Sequence, residues 1–144
     1  MRKENPTRYS SAVGESWQHA SFKIKYCHNI FDNKEVREEM DKLLDEASSK
    51  YEIPIEGKGF DSNHVHMKLD LGIYSKVQVA KYLRGYTAKK IFQKFPWLKK
   101  KYFWDSGLWN RSYYIGSPKN LDNLDSYLRK QKWFDPTQTR LKSY

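Results

Sequence analysis

His64 and His66 stand two residues apart in the stretch Asn63-His64-Val65-His66-Met67-Lys68-Leu69-Asp70-Leu71, which alternates polar and apolar side chains throughout. A strand sends alternate side chains to opposite faces, so His64, His66, Lys68 and Asp70 share one face and Val65, Met67, Leu69 and Leu71 the other. Imidazoles at that spacing have Cα atoms about 6–7 Å apart, a reach that suits joint coordination of one cation. Two solvated histidines on an exposed strand are the simpler alternative. A third ligand would separate the two readings, and Tyr127 and Gln131 are candidates. They lie four residues apart and are neighbours on the surface of a helix. Leu121, Leu124 and Leu128 form that helix's apolar stripe. At about 100° per residue, Tyr127 and Gln131 fall at the edge of the docked surface. A half-buried amphipathic role for Tyr127 stays open. Asp61 and Asp70 read most simply as a turn acid and a surface acid, with auxiliary oxygen ligation as the alternative.

These residues need elements to hold them. Residues 17–26 (WQHASFKIKY) alternate like a strand, with Ala20, Phe22 and Ile24 on one face. Asp32 and Glu35 have capping-box spacing, so a helix is expected to start there. Val36, Met40, Leu43, Leu44, Ala47 and Tyr51 recur along it at helical spacing, and Pro54 ends it. Residues 53–60 and 64–71 read as two strands joined by the turn residues Asp61-Ser62-Asn63. Ser75 caps a second helix that runs to about Gln93 and is broken at Pro96. Residues 107–116 (GLWNRSYYIG) give a fourth strand, Gly116-Ser117-Pro118 a turn or hinge, and residues 121–133 a last helix.

The order β-α-β-β-α-β-α predicts an α+β protein. Its expected form is a ferredoxin-like, four-stranded antiparallel sheet with both main helices on one face, the other face left open, and an additional C-terminal helix bearing Tyr127. Residues 17–133 make one domain, with polar tails at 1–16 and 134–144, and the first of these is expected to be disordered.

The chain has 144 residues, 16% aromatic, and a formal net charge of +10. Such a surplus attracts polyanions, nucleic acid first among them and an anionic membrane next. Between Lys81 and Tyr114 the only acid is Asp105, and aromatics are interleaved with lysines and arginines. Cations that track phosphates and rings that stack on unpaired bases are the signature of single-strand binding, although many of these rings must also build the core. No apolar run spans a bilayer and no secretory signal opens the chain. Cys27 is the single cysteine, so neither an intrachain disulfide nor a multi-cysteine zinc site is available, and a cytoplasmic setting is expected.

The segments NHVHM, WQHASFKIKY, LWNRSYYIGS and NLDSYLRKQKW, in that order and spacing, resemble the single-tyrosine transposases of the HUH superfamily, which serve bacterial and archaeal insertion sequences. The resemblance runs from Trp17 to Trp133. It implies that His64 and His66 are the metal-binding histidine pair, Tyr127 the nucleophile, and Gln131 a further metal ligand. The cofactor it implies is a divalent ion, magnesium or manganese, and two imidazoles favour manganese or a later ion. The implied partners are single-stranded DNA with a hairpin at the element's ends and a second copy of the chain, with no membrane. Relatives often carry paired histidines where this chain has Gln18-His19, and an arginine where it has Cys27. Both differences are expected to affect DNA positioning and to lie away from the reacting groups.

The chemistry implied is cleavage and rejoining of single-stranded DNA through a 5′-phosphotyrosine. A phenol with a pKa near 10 is a weak nucleophile at neutral pH, so a Lewis acid on the phosphate is needed. His64, His66 and Gln131, all neutral, would leave the cation its full charge. The rivals are a non-catalytic single-strand-binding module, a host-adopted endonuclease acting on hairpin repeats, and a replication or conjugation nickase. The first needs aromatics on the central strands, and the His64 strand offers none on its polar face.

Overall fold

The computed structural model describes residues 8–9, 12–13, 16–104, 106–117 and 133–134. Its elements in chain order are β1 (Arg8–Tyr9), β2 (Ala12–Val13), β3 (Trp17–Ile24), α1 (Lys34–Tyr51), β4 (Ile55–Asp61), β5 (His64–Asp70), α2 (Lys76–Lys94), α3 (Pro96–Tyr102), β6 (Trp109–Gly116) and β7 (Trp133–Phe134). β1 and β2 pair with each other, inside the segment read from sequence as a disordered tail. The main sheet has the order β6-β3-β5-β4, all neighbours antiparallel, with the two-residue β7 added beyond β4. Four strands in this order, with two long helices in the connections, make the expected ferredoxin-like α+β fold.

The two long helices each begin where a side chain satisfies a first-turn amide. The cap of α1 is Asn33, whose Oδ1 accepts from Val36 N at 3.1 Å. Asp32, the residue expected there, instead accepts from Ser62 Oγ at 2.6 Å, tying the helix entrance to the β4–β5 turn. Ser75 and Gln78 form a reciprocal capping box on α2. Pro96 does end α2, but it then starts α3. Proline suits a first helical position because its missing N–H would have no partner there. Val36, Met40, Leu43, Leu44 and Ala47 of α1 and Val79, Ala80, Leu83 and Ile91 of α2 are buried against Ala20, Phe22, Ile24, Val65, Met67 and Leu69 of the central strands.

The expectation of an open second face does not hold along β5. His66, Lys68 and Asp70 retain only 7%, 4% and 0% of their exposure. Burial of charge requires compensation, and most of it is present, although Asp70 Oδ2 is buried without a hydrogen-bond partner among the described residues. Lys68 Nζ lies 3.1 Å from Glu56 Oε1 and 5.7 Å from the centre of the Trp17 ring. Asp70 Oδ1 accepts from Ser16 N at 2.8 Å and Gly72 N at 3.0 Å. The helix expected over 121–132 lies outside the described residues. Trp133, expected as its last residue, is in β7, paired with Phe60, while Phe134 pairs with Gly59.

Candidate active site

β5 is held between β4 and β3, and the register decides which residues surround its histidines. Asp61 pairs with His64 across the two-residue turn Ser62-Asn63, and Gly59 pairs with His66. On the other side Lys23 faces His64, Ser21 faces His66 and His19 faces Lys68. Odd positions of β3 therefore share a face with even positions of β5, and His19 lies diagonally next to His66.

The imidazoles of His64 and His66 have centroids 4.7 Å apart at an interplanar angle of 84°. One ligand atom from each of Asp61, His64 and His66 lies within 4.8 Å of the others. Both rings are oriented by second partners. Asn63 Oδ1 is 2.8 Å from His64 Nδ1, and His19 Nε2 is 3.0 Å from His66 Nδ1. Engagement of Nδ1 in both rings assigns Nε2 as the nitrogen that would serve a cation, as is usual when an outer partner fixes the tautomer. Asp61 Oδ2 sits 3.0 Å from His64 Nε2, on the ligating side of that ring.

Protonation is arranged to match. Burial pushes the His66 pKa down to about 4, helped by His64 and His19 and opposed by Asp61. Burial also lowers His19. Metal ligands must be deprotonated, and a ring that is neutral at neutral pH pays no proton-release cost on binding. Two nitrogens and one carboxylate oxygen suit manganese or a later divalent ion, and magnesium with water completing its shell.

The site thus departs from sequence expectation in three ways. Asp61, read as a turn acid, joins the histidines and would lower the effective charge of a bound cation by one. His19, expected to lie away from the reacting groups, contacts His66 directly. Asp70, the other candidate oxygen ligand, instead binds backbone amides at the opposite end of β5. Tyr127 and Gln131 lie outside the described residues. Alternation within one strand could not have found His19, because its proximity depends on the register between two strands. Asp61 and Asn63 had a usable signal, since a two-residue hairpin sets the residue before the turn opposite the residue after it.

His19 is in turn backed by Tyr114, whose ring meets it edge-on at 5.5 Å. Gly116, read as part of a hinge, ends β6, and a Cβ there would stand 2.7 Å from Tyr114 Cζ. The glycine makes room for the tyrosine that flanks His19. Several aromatics of the basic stretch are committed to internal packing. Tyr82 stacks on Tyr51 at 4.6 Å, and the Arg84 guanidinium lies 4.5 Å from the centre of Tyr113. Others, including Trp104 and Tyr114, are exposed.

A histidine pair on a central strand of a ferredoxin-like sheet is the arrangement that the sequence resemblance implies. The family model for IS200-like transposases matches residues 12–131. The chain belongs to that family of single-tyrosine transposases, and it is an enzyme of the transposase class. The crystal structure of a candidate transposase from Deinococcus radiodurans R1 is similar at a TM-score of 0.70 and 22% identity, covering 87% of this chain and 97% of that one. A REP-associated tyrosine transposase bound to a REP hairpin is similar at a TM-score of 0.54 and 10% identity, covering 85% of this chain and 68% of that one. At these identities the two structures support the fold. No curated protein is significantly similar to the chain. No helix among the described residues is long and apolar enough to cross a membrane.

Proposed function

We propose that this transposase cleaves and rejoins single-stranded DNA at hairpin-bearing ends, through a phosphotyrosine formed on Tyr127 at a divalent metal site. The observation that carries the reading is the convergence of Asp61, His64 and His66 within 4.8 Å, with both Nδ1 atoms engaged by outer partners. A bound cation supplies Lewis-acid polarisation of the scissile phosphate. His64 and His66 would hold it through ring nitrogens and Asp61 would add a carboxylate oxygen. Gln131 is included as a fourth ligand on the family resemblance.

The Tyr127 phenol loses its proton as its oxygen attacks phosphorus. The bond to the 3′-oxygen breaks, and that oxygen gains a proton to leave as a 3′-hydroxyl. The DNA's 5′-phosphate is then esterified to the enzyme. The reverse attack by another 3′-hydroxyl rejoins strands without ATP, because the ester conserves the phosphodiester's energy.

The hairpin preference is supported by the net charge of +10 and by the hairpin in the REP-associated relative's structure. One catalytic domain over 17–133, acting in the cytoplasm, completes the proposal. A dimer is supported by β6 standing at the sheet's edge among the described residues, since a strand edge invites a second copy. Light scattering at micromolar concentration tests the dimer, and a monomer there would remove it. The deciding experiment for the chemistry is incubation with labelled hairpin DNA and manganese, followed by denaturing electrophoresis. Wild-type protein yields an SDS-resistant adduct and Tyr127→Phe yields none while still binding the hairpin. An adduct in Tyr127→Phe would exclude that phenol as the nucleophile.

A further inference from the structure

Where β3 ends, the chain makes a tight turn over Lys25–Cys27 in which Tyr26 and Cys27 have φ values of 62° and 57°. Two consecutive residues with side chains in the left-handed region are unfavourable, and such conformations persist only where surrounding contacts impose them. Here the contacts are hydrogen bonds from Ile24 N to Asn63 O (2.8 Å), from Lys25 N to Leu108 O (2.9 Å) and from Asn63 Nδ2 to Cys27 O (3.5 Å). The turn does not bury the Tyr26 ring, which is 60% exposed. Instead it sets that ring beside a row of others. Tyr26 meets His28 edge-on at 6.0 Å, and His28 lies 4.7 Å from Tyr102. Lys25 Nζ is 5.5 Å from the centre of Tyr26 and Lys101 Nζ is 5.3 Å from that of Tyr102.

The row stands at the same end of the sheet as the candidate metal site. Asn63 joins the two, with Nδ2 on the turn's Cys27 carbonyl and Oδ1 on the metal-facing ring of His64. Exposed Lys23 pairs with His64 on the intervening strand. Cations for phosphates, with flat rings for bases between them, match an unpaired nucleic-acid strand better than a duplex, whose bases are stacked inside.

We propose that Tyr26, His28 and Tyr102, with Lys25 and Lys101, form a stacking platform for unpaired nucleotides next to the phosphate that is cut at the histidine pair. Asn63 then couples occupancy of the platform to the orientation of His64. This inference rests on single-stranded DNA being the substrate. The test measures binding of labelled oligothymidylate to the full-length protein in EDTA, so that neither metal nor cleavage contributes. Tyr26→Ala is expected to weaken binding by about tenfold or more, the usual loss of one stacked base, with little change in salt dependence. Tyr26→Phe keeps the ring and restores binding. Lys101→Ala weakens binding and reduces the salt slope by roughly one counterion. A Tyr26→Ala protein with wild-type circular dichroism and wild-type affinity would overturn the platform. If wild-type protein prefers duplex to oligothymidylate, the single-strand reading itself fails, an outcome distinct from the first.

Discussion

At one end of β5, Lys68 and Asp70 are consumed by the fold: the ammonium by Glu56 and the Trp17 ring, the carboxylate by the amides of Ser16 and Gly72. At the other end, Asn63 and His19 engage the Nδ1 atoms of His64 and His66 and so orient both rings, and Asp61 Oδ2 lies 3.0 Å from His64 Nε2. The four side chains share a face and a spacing. Polar groups become structural when opposite charge or backbone amides take them up, even where one buried oxygen, Asp70 Oδ2, has no hydrogen-bond partner among the described residues. They become a candidate site when partners fix the direction of ligand atoms that converge, as one atom from each of Asp61, His64 and His66 does within 4.8 Å.

The sharpest way to break this contrast is to remove one residue from each end. His66→Ala is expected to abolish manganese-dependent cleavage of hairpin DNA and to weaken manganese binding measured by calorimetry, with the thermal transition retained. Retention of full cleavage would show that the histidine end is no more functional than the lysine end. Lys68→Ala should behave oppositely. It leaves Glu56 buried without its ammonium, a change that costs roughly 3–5 kcal/mol of stability in denaturant unfolding. The double variant Lys68→Met with Glu56→Leu should recover most of that loss and cleave DNA at the wild-type rate. A cleavage defect in the stable double variant would place Lys68 in the reaction.

The pH dependence of folding sharpens the same comparison. The His66 pKa is about 4 in the folded chain and about 6.5 when unfolded. Between those values the unfolded chain binds a proton that the folded chain does not, so stability of the metal-free protein falls as pH falls from 6.5 towards 4. The expected loss is roughly 3 kcal/mol by the lower limit, and nothing from this ring above pH 7. Urea unfolding across that range should show a shallower slope for His66→Gln than for wild type. Equal slopes would mean that the ring is hydrated in solution.

Much of this arrangement was legible before any coordinates. Period-two alternation marks β3 and β5, and the order of strands and helices implies a ferredoxin-like antiparallel sheet with both main helices on one face, because split β-α-β connections leave few alternatives. The histidine pair was legible because it lies on one strand. What escaped notice depended on contacts between strands or on a residue with two meanings. His19 reaches His66 only in one register of β3 against β5. Asp61 reaches His64 only across a closed hairpin. Pro96 signals both the end of one helix and the first turn of the next, so α3 was missed. Alternation alone implies solvent on one side of β5, yet Lys68 and Asp70 are buried there, the one beside Glu56 and the other on backbone amides.

His19 offers the smallest and most discriminating test of the contrast. If Nδ1 of His66 donates to His19 Nε2, the role of His19 is to accept one hydrogen bond and hold one ring, with no contact to DNA or cation. Outer partners of metal-bound histidines typically contribute 10- to 100-fold in metal affinity. His19→Phe keeps the ring's bulk against Tyr114 but removes the acceptor, so manganese affinity should fall by about that factor while DNA binding in EDTA is unchanged. His19→Gln restores a carbonyl acceptor on a side chain of similar reach and should recover much of the loss. The tautomer of His66, read from its ring nitrogen shifts by NMR, should be a single Nδ1–H form in wild type and a mixture in His19→Phe. A phenylalanine variant with undiminished manganese affinity and an unmixed tautomer would mean that β-sheet packing alone orients His66. The two ends of β5 would then differ in their ligands but not in how they are held.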